Sequence, residues 1–142
     1  MWRDKQFGAA VLVAPLFWFA LLFIYQPPLD LLWPLHEPWR YLSLAVAYPV
    51  LEELVFRGAL QDSLYHTRWG RAAIGPLTHA NLLTSLLFAC FHLIAHTDLW
   101  AMLVFFPSLL FGYFRDKYQS VLPAILLHVF YNMGYFWLFR PS

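Results

Sequence analysis

Six charged, ionisable or amide side chains interrupt stretches of the sequence that are otherwise apolar enough to cross a membrane. They are Glu52, Glu53, Arg57, His92, His128 and Asn132. A charged group at the middle of a membrane helix costs about 2.5–3.5 kcal/mol on insertion scales, so residues of this kind indicate a functional site. A carboxylate close to two histidines and an asparagine has the composition of a general-base site.

The spacing of these residues pairs them along helices, because residues four apart share one helix face. The pairs are Glu53 with Arg57, Phe88 with His92, and His128 with Asn132. Three helices that each present one pair to the interior would form a single buried polar cluster. Glu52 has no basic residue four positions later, since position 56 is Phe. Glu52 is therefore the carboxylate left for base chemistry.

Structural roles are also open to the same residues. A histidine or asparagine in a membrane helix often donates a hydrogen bond to another helix, which contributes about 0.6–2 kcal/mol. The Glu53 and Arg57 side chains can equally form a structural ion pair that orients their helix. Spacing alone does not separate these roles from catalysis.

The composition identifies the fold class. The 142 residues are 61% hydrophobic and 12% charged, against about 45–50% and 25% in soluble domains. These values predict an all-α, polytopic bundle of about five transmembrane helices, because each span needs about 20 apolar residues. The chain is expected to be a single domain over residues 1–142. Its expected partners are the lipid bilayer and a membrane-anchored protein or peptide, and a net charge of +1 offers no argument for nucleic acid.

The predicted spans follow the apolar runs. They cover Phe7 to Tyr25, about Trp39 to Leu60 or beyond, Ala80 to Ala95, Leu99 to Phe114, and Val121 to Phe139. The six polar residues lie on three of them, the motif helices at about 39–62, 80–95 and 121–139. The first run lacks a signal-peptide cleavage site and is interpreted as a membrane helix. Proline-rich residues 26–37 and the polar stretch 62–79 are expected to be loops, and residues 96–98 a turn.

Local signals mark the ends and irregularities of these helices. Thr78 or Asn81 is the expected N-cap of the third helix, and Ser120 that of the fifth. Pro49 should disturb the second helix and Pro107 the fourth.

The basic residues predict the orientation of the chain. With the N-terminus in the cytoplasm, the inner side carries six basic residues, namely Arg3, Lys5, Arg68, Arg71, Arg115 and Lys117. The outer side carries only Arg40 and Arg140. This distribution satisfies the positive-inside rule. We expect an integral membrane protein of the bacterial inner membrane, with its C-terminus outside.

Three sequence strings resemble the ordered motifs of a known family. EELVFRG at residues 52–58, FACFH at 88–92 and HVFYN at 128–132 resemble the EExxxR, FxxxH and HxxxN/D motifs of the CAAX protease and bacteriocin-processing family, also called the Abi family. Its members are intramembrane glutamic endopeptidases that work without a metal or other cofactor. The resemblance extends over roughly residues 48–136, with one motif per predicted helix.

The resemblance implies a role for each motif residue. Glu52 would activate water with the assistance of His92, and His128 and Asn132 would bind the oxyanion. Glu53 and Arg57 would form the supporting ion pair, and the remaining motif residue is Phe88. The short chain is most similar to small bacterial members that are paired with C-terminal sorting tails. These tails consist of a short motif, a hydrophobic span and basic residues.

Other classes of function use the same residue types. Glu52, His92 and His128 could supply zinc with one carboxylate and two imidazoles, although the sequence has no H-E-x-x-H helix. A non-enzymatic immunity or assembly factor could retain the fold, and buried Glu and His could also relay protons. The protease hypothesis predicts that Glu52, His92, His128 and Asn132 converge on a water-filled cavity.

Overall fold

A computed structural model describes residues 1, 3–26, 29–96 and 99–141, with the side chains of residues 95–100 excepted. The turn expected at residues 96–98 therefore lies largely outside the described residues. The chain is almost entirely helical, as predicted from its composition. The α-helices are α1 Lys5–Tyr25, α2 Trp33–His36, α3 Pro38–Leu42, α4 Tyr48–Glu53, α5 Asp62–Tyr65, α6 Arg68–Arg71, α7 His79–His96, α8 Phe105–Tyr118 and α9 Leu122–Leu138.

The first helix has the length and composition of a membrane span. Asp4 caps α1 by accepting a hydrogen bond from the Gln6 backbone N–H at 2.9 Å, and 17% of its most apolar window is buried. Within the described residues, α1 is the helix both long enough and apolar enough to span a membrane. The apolar segments His79–Ile94 and Leu122–Leu138 are shorter.

The second predicted helix is a continuous helical run from α3 to α5. Two π-helical segments, Ser43–Ala47 and Leu54–Gln61, lie on either side of α4. The disturbance predicted at Pro49 takes the form of the first π segment, directly before the proline. There the Tyr48 N–H donates to the Ser43 carbonyl, five residues back. Such π segments are uncommon and are found frequently at functional sites.

The expectation that residues 62–79 form a loop is wrong. The stretch folds into α5, α6 and a hairpin of two strands, β1 Ala73–Ile74 and β2 Leu77–Thr78, in which Ala73 pairs with Thr78. Thr67 caps α6 by accepting from the Gly70 N–H at 2.9 Å. Gly75 has a φ of +60°, which the hairpin turn requires and glycine adopts without strain. These local hydrogen bonds form regular structure where the Gly and Pro content had suggested a loop.

Residues 26–37 are also more ordered than predicted. Trp33 begins the one-turn helix α2 and is buried, with its indole Nε1–H donating to the Phe136 carbonyl at 2.9 Å. Trp33 is therefore enclosed by the fold, whereas the neighbouring Leu31 and Leu32 are exposed. The tertiary acceptor on α9 explains the difference, because a buried indole N–H needs a partner.

The fourth predicted helix begins later than expected. Residues Leu99–Val104 form a 3-10 helix, and α8 begins at Phe105. Pro107 lies in the first turn of α8, where its missing N–H costs no intrahelical hydrogen bond. The helix continues to Tyr118 and ends at Gln119, whose φ of 49° is left-handed. Thr78, one of the two N-caps expected for the third helix, caps α7 by accepting from the Asn81 N–H. The Ser120 hydroxyl accepts from the N–H of Leu122, the first residue of α9, and lies one residue before the N-cap position.

The chain divides into two compact units, each with its own packing. The terminal unit comprises Met1–Leu51 and Ile125–Ser142, and the central unit comprises Glu52–Ala124. In the terminal unit α9 is bound to α1 through the Tyr131 hydroxyl, which donates to the Ala10 carbonyl at 2.7 Å. It is bound to α3 through the Tyr41 hydroxyl, which donates to the Met133 carbonyl at 3.0 Å.

In the central unit α7 packs against α8. Its apolar core contains Ala80, Phe88, Ala89, Phe111 and Phe114. Buried polar side chains lie beside that core and donate to carbonyls of α8. Gln61 donates to Gly112 at 3.0 Å, and Asn81 donates to Leu109 at 2.9 Å.

Candidate active site

An ion pair lies at the centre of the candidate site in the central unit. Glu53 Oε1 and Arg57 Nη1 are 3.0 Å apart, and both side chains are 0% exposed. The contact predicted from their spacing is therefore present. Arg57 Nη2 also donates to the carbonyl and the hydroxyl of Ser108, at 2.9 and 2.6 Å. These bonds to α8 help to offset the cost of burying the guanidinium.

Aromatic rings connect the ion pair to His92. The Arg57 guanidinium carbon lies 4.7 Å from the centroid of the Phe88 ring, and the Phe88 and His92 rings are 4.3 Å apart between centroids. Phe111 lies on α8, with its ring centroid 5.8 Å from the same guanidinium carbon. Phe88 thus contacts both Arg57 and His92, and it holds the imidazole next to the ion pair.

The hydrogen bond of His92 determines its tautomer. Its Nδ1 is 3.0 Å from the Phe88 carbonyl oxygen, one turn back on α7. A carbonyl only accepts hydrogen bonds, so Nδ1 must carry the proton. In the neutral ring Nε2 is then the acceptor nitrogen. An imidazole in this tautomer can accept a proton or a hydrogen bond from water.

Glu52 occupies a different environment from its neighbour Glu53. Successive residues of a helix point about 100° apart, and the Glu52 side chain is half-buried where Glu53 is fully enclosed. Glu52 also lies near enough to interact electrostatically with Arg57. A partly accessible carboxylate beside a buried cation has the surroundings that a base for water requires.

The other two predicted catalytic residues lie on α9 in the terminal unit. His128 is buried, with 6% of its surface exposed, and Asn132 follows it one turn later with a half-buried side chain. The Asn132 Nδ2 donates to the Leu44 carbonyl at 3.2 Å. Both residues can donate hydrogen bonds, which is what an oxyanion needs.

The structure thus brings together Glu53, Arg57, Phe88 and His92, with Glu52 next to them. His128 and Asn132 belong to the terminal unit. The convergence of the four catalytic candidates on one cavity stays a prediction.

Two partners of the site were not expected from the sequence. Ser108 anchors Arg57, and the Leu44 carbonyl binds Asn132. The one available signal for Ser108 was a polar residue within an apolar run. No sequence signal indicates the Leu44 carbonyl, since every residue carries one.

No group of three His, Cys, Asp or Glu side chains within the described part of the chain is arranged to hold a metal ion. Glu52 and His92 lie in the central unit and His128 in the terminal unit.

One comparison with known proteins gave a match. The model of the family described as type II CAAX prenyl endopeptidase, Rce1-like, matches residues 33–134, well over half of the chain. This range contains all three motifs and every candidate site residue. No curated protein and no solved structure matches the chain.

Proposed function

The chain belongs to the Rce1-like family of type II CAAX prenyl endopeptidases, and we propose that it cleaves membrane-anchored proteins within or near their C-terminal tails. The family consists of integral membrane proteases with a helical-bundle fold, and the helical structure and the apolar α1 agree with that class. The proposal also specifies the catalytic residues, the absence of a metal requirement and the type of tail.

The observation that carries the proposal is the buried arrangement of the first two motifs. A fully buried Glu53–Arg57 pair packs against Phe88, Phe88 packs against His92, and the Glu52 carboxylate remains outside the pair. An ion pair that served only to orient a helix would not require a second, adjacent carboxylate. This arrangement supports Glu52 as the base.

The proposal then assigns a residue to each step of the hydrolysis. Glu52 removes a proton from water while the water oxygen attacks the scissile carbonyl carbon. His92 orients that water through its acceptor nitrogen Nε2. The resulting oxyanion accepts hydrogen bonds from His128 and Asn132. When the C–N bond breaks, the proton held by Glu52 passes to the leaving amine, which restores the carboxylate.

The substrate is proposed to be a sorting tail with a short motif, a hydrophobic span and basic residues. The resemblance to small bacterial family members that are paired with such tails supports this choice of substrate. A prenylated C-terminal tail is the other substrate, and it is the one named in the family description.

The test uses membranes that contain the chain and a reporter with one of the two tails. The Glu52→Gln variant keeps the shape of the side chain but removes the base. Glu37→Gln is the control at a glutamate outside the three motifs, and it also removes an ion-paired carboxylate. We expect cleavage by the unmodified chain and by Glu37→Gln, unaffected by chelator, and no cleavage by Glu52→Gln at equal abundance.

Each other outcome contradicts a specific part of the proposal. Cleavage by Glu52→Gln would show that Glu52 is not the base. Loss of cleavage with chelator would indicate a metal enzyme. Cleavage of the prenylated reporter alone would overturn the sorting-tail assignment. An inactive unmodified chain with both reporters would favour a non-enzymatic membrane module.

A further inference from the structure

The main chain before Pro49 is arranged in an unusual way. At the end of the π segment Ser43–Ala47 the main-chain hydrogen bonds span five residues instead of four, and the Tyr48 N–H donates to the Ser43 carbonyl. The next bond of this register would run from residue 49 to the Leu44 carbonyl. Residue 49 is proline, which has no N–H.

A side chain supplies the hydrogen bond that Pro49 cannot make. The Asn132 Nδ2 of α9 donates to the Leu44 carbonyl at 3.2 Å. Pro49 itself is fully buried, and all three residues belong to the terminal unit. A partly buried carbonyl without a donor is costly, so the bond stabilises the π segment as well as the orientation of the asparagine.

We propose that Pro49 is a positioning residue for Asn132. By withholding a main-chain donor it leaves the Leu44 carbonyl as an acceptor, and that acceptor fixes the orientation of the Asn132 amide. The consequence for catalysis rests on the proposed function, whereas the hydrogen bond itself does not.

The orientation matters because an asparagine amide has two different ends. If the amide rotated by half a turn, it would offer an acceptor oxygen where a donor is needed. The Leu44 carbonyl only accepts, so the atom that faces it must be the nitrogen. The bond uses one N–H of Nδ2 and leaves the second N–H in a defined direction. A donor with a fixed direction is what stabilisation of an oxyanion demands.

The first test observes the hydrogen bond without relying on activity. The chain contains two asparagines, Asn81 and Asn132, so ¹⁵N labelling of the asparagine side chains gives two amide groups, each with a pair of N–H signals. In Pro49→Ala the new N–H can donate to the Leu44 carbonyl and compete with Asn132. We expect solvent exchange of the Asn132 side-chain amide to become roughly 3- to 10-fold faster. Asn81, which donates to the Leu109 carbonyl, is the internal control and should not change.

Two further variants test whether the effect is specific to position 49. Pro15→Ala removes another proline from within a helix of the same unit and should leave both amide signals unchanged. Pro49→Ser restores the same N–H with a different side chain and should reproduce the effect of Pro49→Ala. Unchanged Asn132 exchange in both Pro49 variants, or an equal change in Pro15→Ala, would overturn the proposal.

The second test concerns the reaction. Pro49→Ala should lower kcat about 10-fold with little change in KM, since it affects a donor that acts on the developing charge. In the Asn132→Ala background the same substitution should have little further effect. Additive losses would show that Pro49 acts on something other than Asn132. If the amide signal responds and no variant of the chain cleaves any tail, the positioning stands and the proposed function fails.

Discussion

Two adjacent glutamates, Glu52 and Glu53, have opposite surroundings although their chemistry is identical. Glu53 is enclosed and paired with Arg57, whereas Glu52 keeps part of its surface accessible. The rotation of about 100° per residue along a helix produces the difference. Under the proposed function, Glu53 stabilises the packing through its ion pair and the partly accessible Glu52 is the base.

Because the Glu53–Arg57 pair is buried, we expect the free energy of unfolding to depend strongly on Arg57. In Arg57→Met the Glu53 carboxylate would be left buried without its cation, which typically costs about 3–5 kcal/mol in the free energy of unfolding. The double variant Glu53→Leu/Arg57→Met removes both charges and should recover most of that loss. Unfolding by denaturant in detergent micelles measures both values, with Lys117→Met at an exposed cation as the control. Equal losses in the single and double variants would contradict this account of the pair.

Phe88 is predicted to affect catalysis through His92. Its ring contacts both the Arg57 guanidinium and the imidazole, so Phe88→Leu should loosen the position of His92. We expect kcat to fall about 10-fold at similar KM, since small misplacements of catalytic groups lower the rate strongly. Phe106→Leu, at an exposed phenylalanine, is the control for the loss of an aromatic ring. An unchanged kcat for Phe88→Leu would show that His92 is held by other contacts.

Glu37, which lies outside the predicted membrane helices, is expected to make the stability of the chain depend on pH. Its hydrogen bond from Arg40 holds the pKa of the carboxyl below its usual value, and Arg140 acts in the same direction. A lowered folded-state pKa means that the stabilisation is complete above the unfolded pKa and is lost as the pH falls through the folded pKa. The Tm difference between the unmodified chain and Glu37→Gln should therefore be present at neutral pH and vanish in acid. A difference that stays constant with pH would contradict the ion pair.

At the scale of elements, the π segment Leu54–Gln61 and α7 are bound to α8 by polar side chains. Arg57, Gln61 and Asn81 each donate to a main-chain carbonyl of α8. This packing requires α8 to lack a side chain where they approach. Gly112 meets that need, because an added Cβ would overlap the Asn81 amide and lie 2.8 Å from Gln61 Oε1.

Gly112→Ala should consequently destabilise the chain. Forcing one methyl group into this packing typically costs about 1–3 kcal/mol, whereas an alanine at an unobstructed helical glycine stabilises by about 0.5–1 kcal/mol. Gly8 in α1 is such a position, with nothing within 4 Å of an added Cβ. Opposite signs of the stability change in Gly112→Ala and Gly8→Ala are expected in thermal unfolding. A neutral or stabilising Gly112→Ala would show that the side chains shift without cost.

At the scale of the whole molecule, the distribution of basic residues predicts the orientation in the membrane. Cys90 is the single cysteine, so Cys90→Ser gives a background for single-cysteine labelling. In it, Leu29→Cys should react with an impermeant maleimide in intact cells, because residues 26–37 are predicted to lie outside. Ser120→Cys should react only after permeabilisation. The reverse pattern would overturn the predicted orientation.

The sequence by itself determined the helical class and indicated the candidate residues for the proposed chemistry. Charged groups are so costly in apolar segments that Glu52, Arg57 and His92 are conspicuous wherever they occur. The helical period then predicted the Glu53–Arg57 contact, and local capping preferences limited the N-cap of the third helix to Thr78 or Asn81, of which the structure has Thr78. Each of these signals comes from residues that are close together in the sequence, so it can be recognised without the tertiary structure.

Only the tertiary structure decided which partners hold those residues. The Ser108 and Leu44 carbonyls that bind Arg57 and Asn132 belong to other helices, and a main-chain carbonyl has no signature in the sequence. The burial of Trp33 against α9 was missed for the same reason, because its acceptor on α9 is distant in the sequence. The short helices and hairpin of residues 62–79 rest on local hydrogen bonds, and they were missed because the Gly and Pro content was interpreted as a loop.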